Sequence, residues 1–409
     1  MEFGTCISGR WLNMASWSVL CVATAMAGVS TSYADGPASD KAATPSFEIA
    51  ASETAASEIA ASEDKNQPDD ESRWAVFPVI SSSPETSLMF GGVVLRHFRI
   101  PGPLERTESG SWPRRSSVAA FAAYSLNNQF IAALAPTLYL QGEQWSVGGG
   151  LSAVFFPGIF YEVGRDSRES SAENYTQRLF AGSLDVTRQV FSSFRVGMQF
   201  SAAHARITKS EAGGVLDSDG VVGSDGGLIV GAGPVVAWDS RDQDMSTQRG
   251  SLYKVAVNVY PRAFGGAYGY GLLSFNARRF FLTPQNHVLA LSLAGQLGWG
   301  KMPFQVMAKL GGGNQLRGYF DARYIDIHGV VAQAEYRLPL FWRIGGAAFA
   351  GVGEVAGELS AFEPQELKFA GGVGLRYALN VEDRVNLRLD LAATGDGDIN
   401  FYIAIGEAF

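Results

Sequence analysis

The stretch "RVNLRLDL", residues 384–391, decides the fold. It sends Val385, Leu387, Leu389 and Leu391 to one side and Asn386, Arg388 and Asp390 to the other. This period-two alternation belongs to a β-strand with one apolar and one polar face. Residues 368–379 repeat it, with Phe369, Val373, Leu375, Tyr377 and Leu379 opposing Lys368, Gly372, Gly374 and Arg376. Residues 252–260 and 194–201 follow the same rule. A soluble sandwich also alternates, so three further features make the choice. The strands run about ten residues or longer, where soluble strands average five or six. The polar face carries Lys, Arg, Asn and many glycines, as a water-filled lumen requires. Short turns such as "PLFW" at 339–342 alternate with long polar loops such as 208–227. Together these predict an all-β fold, a transmembrane antiparallel β-barrel of the outer membrane.

Counting back from Phe409, the pattern predicts strands near 399–409, 384–394, 366–380, 343–356, 328–340, 286–299, 268–281, 250–263, 228–238, 194–207, 175–189, 145–160, 130–141, 116–126 and 86–99. An even count is required for both ends to lie in the periplasm, so 74–83, "WAVFPVISSS", becomes the first of sixteen. This count leaves a long inner turn over 101–115. It also makes 301–327 the longest outer loop, between the eleventh and twelfth strands, in a barrel wide enough to hold something inside.

The composition agrees. The 409 residues include 48 Gly, 12% aromatics and only 18% charged residues, with a formal charge of -8. No basic stripe exists to neutralise phosphates, so nucleic acid is not an expected partner. Residues 1–34 read as a signal peptide: Arg10, an apolar run, then "SYA" before a cut. Both cysteines, Cys6 and Cys21, fall inside it, which leaves a thiol-free chain suited to the periplasm or outer membrane. No later run of about 18 apolar residues predicts a spanning helix. Residues 35–73 contain "EIAASETAASEIAASED", an acidic Ala/Ser/Glu repeat read as a disordered tether, with a helical reading left open. The barrel is then 74–409, and no folded periplasmic module fits in the roughly 40 residues before it.

Within the long loop, "GGGNQLRGYFDARY" at 311–324 places Arg317 among apolar residues and glycine. "LRGY" resembles the loop-six tip of the BamA/TamA-type outer-membrane barrels, the bacterial surface antigen family. "WDSRDQDMSTQRGS" at 238–251, "AEYRLPL" at 334–340 and "FYIAIGEAF" at 401–409 resemble that family's turn, post-loop strand and terminal strand, in the correct order. "SPETSLMFGG" at 83–92 extends the likeness weakly into the N-terminal half. The resemblance implies that Leu316, Arg317, Gly318 and Tyr319 form a loop tip inside the lumen. There the family holds the arginine with acidic residues on the next two strands. Glu335 shares an inward face with Gln333 and Arg337 and is the expected partner, against the alternative of a solvated loop arginine. On the following strand, "FAGVG" at 349–353 has Gly351 where the family carries a carboxylate. One anchor is therefore expected to be missing and the loop to be held loosely. Phe409 resembles the sorting signal shown to the assembly machinery; membership of an interfacial aromatic girdle is the compatible alternative.

The resemblance implies insertion or translocation of outer-membrane proteins, with lipid, the assembly machinery and unfolded clients as partners. A passive channel or structural barrel is the alternative, and a surface adhesin is a weaker third. No enzyme, cofactor or metal is expected. His97, His204, His287 and His328 are scattered, and pairs such as His204 with Ser201 or His328 with Asp326 arise by chance. "GDGD" at 395–398 reads as a hairpin turn rather than a calcium loop, and "GGGNQL" lacks the Gly-Lys-Ser/Thr of a phosphate cradle.

Overall fold

The computed structural model describes residues 73–101, 116–191, 193–217, 220–242, 246–381 and 384–409. The segments expected to form a signal peptide and an acidic tether lie outside these residues, as does most of the stretch 101–115 expected to form a long turn.

Sixteen strands close into an antiparallel barrel. In chain order they are β1 Arg73–Ser83, β2 Ser87–Phe98, β3 Ser116–Ser125, β4 Phe130–Leu140, β5 Trp145–Phe160, β6 Glu173–Phe191, β7 Phe194–Lys209, β8 Gly227–Asp239, β9 Gly250–Tyr260, β10 Tyr270–Leu282 and β11 Val288–Gly300. After the long loop come β14 His328–Phe341, β15 Ile344–Ala356, β16 Lys368–Asn380, β17 Val385–Thr394 and β18 Ile399–Ile405. Each coincides with one predicted segment. The loop contributes a feature that alternation did not reveal, a two-stranded hairpin of β12 Ala308–Leu310 and β13 Tyr324–Asp326.

Large apolar side chains face the surround while charged ones are held inside. Phe90, Phe180, Phe200, Val255, Leu293, Phe369, Val373 and Leu391 are exposed on the outside, while Asp185, Glu335, Arg376, Arg388 and Asp390 are buried within. An apolar outer face over a polar interior is what a hydrocarbon surround selects. Aromatic rings gather at the inner rim, where both ends of the barrel lie: Phe191 stacks on Phe194 at 5.0 Å, and Trp342 meets Tyr377 at 6.0 Å. Among the described residues no helix is long and apolar enough to cross a membrane.

Closure is uneven around the circumference. β1 pairs with β2 along its whole length, from Arg73 opposite His97 to Ser83 opposite Ser87. Against β18 it makes a single register pair, Ser82 with Ile403, supported by the Ser81 hydroxyl donating to the Ile403 carbonyl at 3.0 Å. The register is the visible cause: β18 stops after 7 residues, and with Ser82 opposite Ile403 its first residues fall beyond the end of β1 at Ser83. The predicted strand to Phe409 is thus corrected: at Gly406 the backbone takes φ +86°, and 406–409 turns out of the sheet into the lumen.

Candidate functional site

The loop between β11 and β14 enters the lumen from the outer rim, and its tip is enclosed. Leu316, Arg317 and Tyr319 are at most 2% exposed. The backbone there adopts conformations that few residues tolerate. Gly318 has φ +121°, and a Cβ on it would press on Thr394 and Ala393, so glycine is required. Leu316, at φ +56°, accepts the left-handed region with a full side chain, held by its N–H donating to Gln333 Oε1 at 3.2 Å. Gln333 in turn donates to the Asn314 carbonyl at 3.0 Å.

Arg317 is brought against two carboxylates. Its Nη2 pairs with Glu335 Oε2, and its Nη1 reaches Asp390 Oδ2 at 2.5 Å. The guanidinium also lies 3.5 Å from the centroid of the Phe349 ring, a cation–π contact that the planar, delocalised charge of arginine suits. The strand register explains the meeting. Glu335 on β14 stands opposite Phe349 on β15, and Asp390 on β17 stands opposite Gly374 on β16, where the absent side chain leaves room for the carboxylate.

The expectation of a single anchor is thereby corrected. Gly351 carries no carboxylate, but Asp390, two strands further on, supplies one. The space at Gly351 is taken by the loop itself, since a Cβ there would lie 3.1 Å from Leu316 Cδ1 and 3.0 Å from Gln333 Cγ. Asp390 sits in the polar face of the stretch that decided the fold, two residues beyond Arg388. A lone carboxylate at inward parity, facing a loop arginine, was the available signal.

The pair belongs to a larger network. Arg337 Nε contacts Glu335 at 2.6 Å and Arg376 Nη1 contacts Asp390 at 2.6 Å, while Arg388 Nε lies 3.4 Å from Asp390. Glu407, on the inturned tail, receives Arg376 at 2.7 Å and Asn386 at 2.8 Å. Four guanidinium groups thus share three carboxylates. Such buried groups tolerate the loss of a partner poorly, because the survivor is left charged and desolvated.

β18 contributes to the loop directly as well. The Gly318 N–H donates to Tyr402 Oη at 3.0 Å, the Tyr402 hydroxyl donates to the Tyr319 carbonyl at 3.2 Å, and Asn400 Nδ2 donates to the Gly318 carbonyl at 2.6 Å. The strand that is weakly bonded to β1 is therefore strongly bonded to the loop. Phe409 lies apart from Arg317 and away from lipid. It packs with Phe280, Val288 and Ala290 inside the barrel, and its carbonyl accepts from Arg337 Nη2 at 2.9 Å. The alternative reading of Phe409 as a member of an outward aromatic girdle is corrected accordingly.

At the outer rim the loop meets two turns. The Asp321 N–H donates to Glu85 Oε1 at 2.6 Å, and the Tyr324 hydroxyl donates to Asp396 in the 395–398 turn at 3.0 Å. Burial pushes the Glu85 carboxyl up to about 7. Burial also raises Asp321 well above the usual carboxylate range, against the pull of Lys309 and with a contribution from Glu85. In the two histidine pairings read from the sequence, Ser201 bonds Tyr260 at 3.3 Å, and Asp326 caps the Ile327 N–H at 2.8 Å. Among the described residues no group of three His, Cys, Asp or Glu is placed to hold a metal.

The Omp85 superfamily domain matches residues 118–409. No curated protein matches the sequence. Among solved structures, the chain is similar to BamA from Haemophilus ducreyi lacking POTRA domains 1-3, with 10% identity, a TM-score of 0.56, and coverage of 83% of this chain and 71% of that one. It is also similar to CdiB from Escherichia coli, with 13% identity, a TM-score of 0.55 and coverage of 82% and 63%. For CdiB from Acinetobacter baumannii the figures are 11%, 0.50, 83% and 60%, so the chain spans less than two thirds of either CdiB. These identities establish the fold alone, whereas the domain match covers well over half of the sequence. The chain belongs to the Omp85 superfamily, and it is an integral protein of the bacterial outer membrane.

Proposed function

We propose that the protein assists the insertion or translocation of other outer-membrane proteins by opening the seam between β1 and β18. The observation that carries this reading is the single register pair joining those strands. An edge released there offers unpaired N–H and C=O groups to an incoming unfolded strand, the chemistry of β-augmentation. The loop tip and the inturned tail occupy the lumen beside that seam, which favours a gated device over an open pore.

The test joins the seam covalently. Ser82→Cys and Ile403→Cys introduce thiols at Cα partners. An unrelated barrel, unfolded in urea, is then refolded into liposomes containing the reduced or the oxidised variant, with an ordinary porin as control. Acceleration by the reduced form that is lost on oxidation supports the proposal. Equal rates for the reduced form and the porin would reject it and favour a passive channel or structural barrel.

A further inference from the structure

Beside the loop, the lumen contains a cavity of about 470 Å³, within the range of roughly 300–1,000 Å³ typical of small-molecule sites. Its wall along β2–β4 is apolar, formed by Met89, Val93, Phe121 and Ile131. Water held against such a wall is poorly hydrogen-bonded, so an apolar occupant is favoured. Two polar side chains on the inward face of β10, Asn276 and Arg278, also line the cavity. Asn276 is only 6% exposed, yet both its Nδ2 and its Oδ1 are buried without a hydrogen-bond partner, as is Arg278 Nε. Native interiors rarely leave such groups unpaired, and each one left so is costly.

Charge gives the cavity a direction. At its outer end Lys309 is set against the Glu85 and Asp321 carboxyls, which burial holds toward their neutral forms. Arg278 lies toward the inner rim, where Arg241 and Arg337 add positive charge and Arg241 already occupies Asp239 at 2.9 Å. We propose that this cavity binds a single-chain anionic amphiphile of the fatty-acid class. Its carboxylate accepts from Asn276 Nδ2 and from the Arg278 guanidinium, and its chain extends along Met89, Val93, Phe121 and Ile131 toward the outer rim. Charge-assisted bonds to the head group and burial of the chain together account for the unpaired Asn276 Nδ2 and Arg278 Nε and for the apolar wall.

The experiment uses the full chain in lipid nanodiscs with tritiated palmitate, read by scintillation proximity. Saturable binding above empty nanodiscs is expected, with hexadecanol competing at least tenfold more weakly than unlabelled palmitate and acetate not competing. Arg278→Gln should weaken palmitate at least tenfold. Phe121→Trp, which fills the cavity from the opposite wall, should abolish binding while leaving the head-group residues in place. Heat-modifiable gel mobility checks that each variant folds. Binding no greater than in empty nanodiscs, equal competition by hexadecanol, or unchanged affinity in both folded variants would overturn the proposal.

Discussion

The β5–β6 part of the barrel wall and the seam are held together by different means. β5 and β6 pair without a gap from Trp145 opposite Arg188 to Phe160 opposite Glu173. That wall is held by its continuous backbone ladder, with Arg178 over Phe155 and Arg188 over Trp145 across it. β1 and β18 share one register pair, and β18 is fastened from inside through Tyr402, Asn400 and the Glu407 ion pairs. The difference teaches that closure here has been transferred from the sheet to the loop. A ladder of backbone bonds opens as a unit, whereas a few side-chain bonds converging on one loop tip open when that tip moves.

The most disruptive way to break this contrast is Arg317→Ala. It strands Glu335 and Asp390 beside Arg376 and Arg337, and removing one partner of a buried pair costs about 3–5 kcal/mol. Thermal melting should fall, and conductance in planar bilayers should rise as the loop leaves the lumen. Arg317→Lys should rescue only part of this, because an ammonium cannot fork to two carboxylates. Glu335→Gln and Asp390→Asn act on the same guanidinium, so the melting shifts of the single variants should not sum to that of the double.

A smaller effect sharpens the correction at Gly351. Installing a carboxylate there, Gly351→Asp, drives a side chain into the place of Leu316, and overpacking of this kind costs about 1–3 kcal/mol. The variant should melt below the parent. A rise would mean that the missing carboxylate, rather than Asp390, is the natural second partner.

The smallest expected effect is a pH dependence at the outer rim. With Glu85 raised from 4.5 to about 7, the docked state keeps its proton where a free glutamate has released it. Docking of the loop on the β1–β2 turn therefore weakens as pH rises through 7, and the raised carboxyl of Asp321 beside it acts in the same direction. Bilayer conductance should increase a few-fold between acid and alkaline buffer, and Glu85→Gln should flatten the change.

The first of the sixteen strands followed from the even count; period-two alternation marked the other fifteen, because lipid and lumen impose opposite demands on successive residues and "RVNLRLDL" satisfies both. Its limit shows at β18. "FYIAIGEAF" was read as one strand to Phe409 although Glu407 falls at the parity of Phe401, Ile403 and Ile405, and the structure leaves the sheet at Gly406 so that Glu407 meets Arg376 and Asn386 inside. At the site, Arg317 and Glu335 were legible from a loop motif and strand parity. Asp390 was visible as an inward carboxylate, but its pairing with Arg317 depends on how far the loop penetrates, and one-dimensional pattern does not encode that depth. The hairpin of β12 and β13 was hidden for the same reason: three-residue strands are too short to show a period.

The most direct test of the link between loop and seam is amide hydrogen exchange across β18, residues 399–405, in Arg317→Ala against the parent, with β5–β6 as internal reference. Exchange in β18 should accelerate together with the loop tip while β5–β6 stays unchanged. If the loop tip is freed and β18 remains as protected as before, the seam does not depend on the loop, and closure resides in the sheet after all.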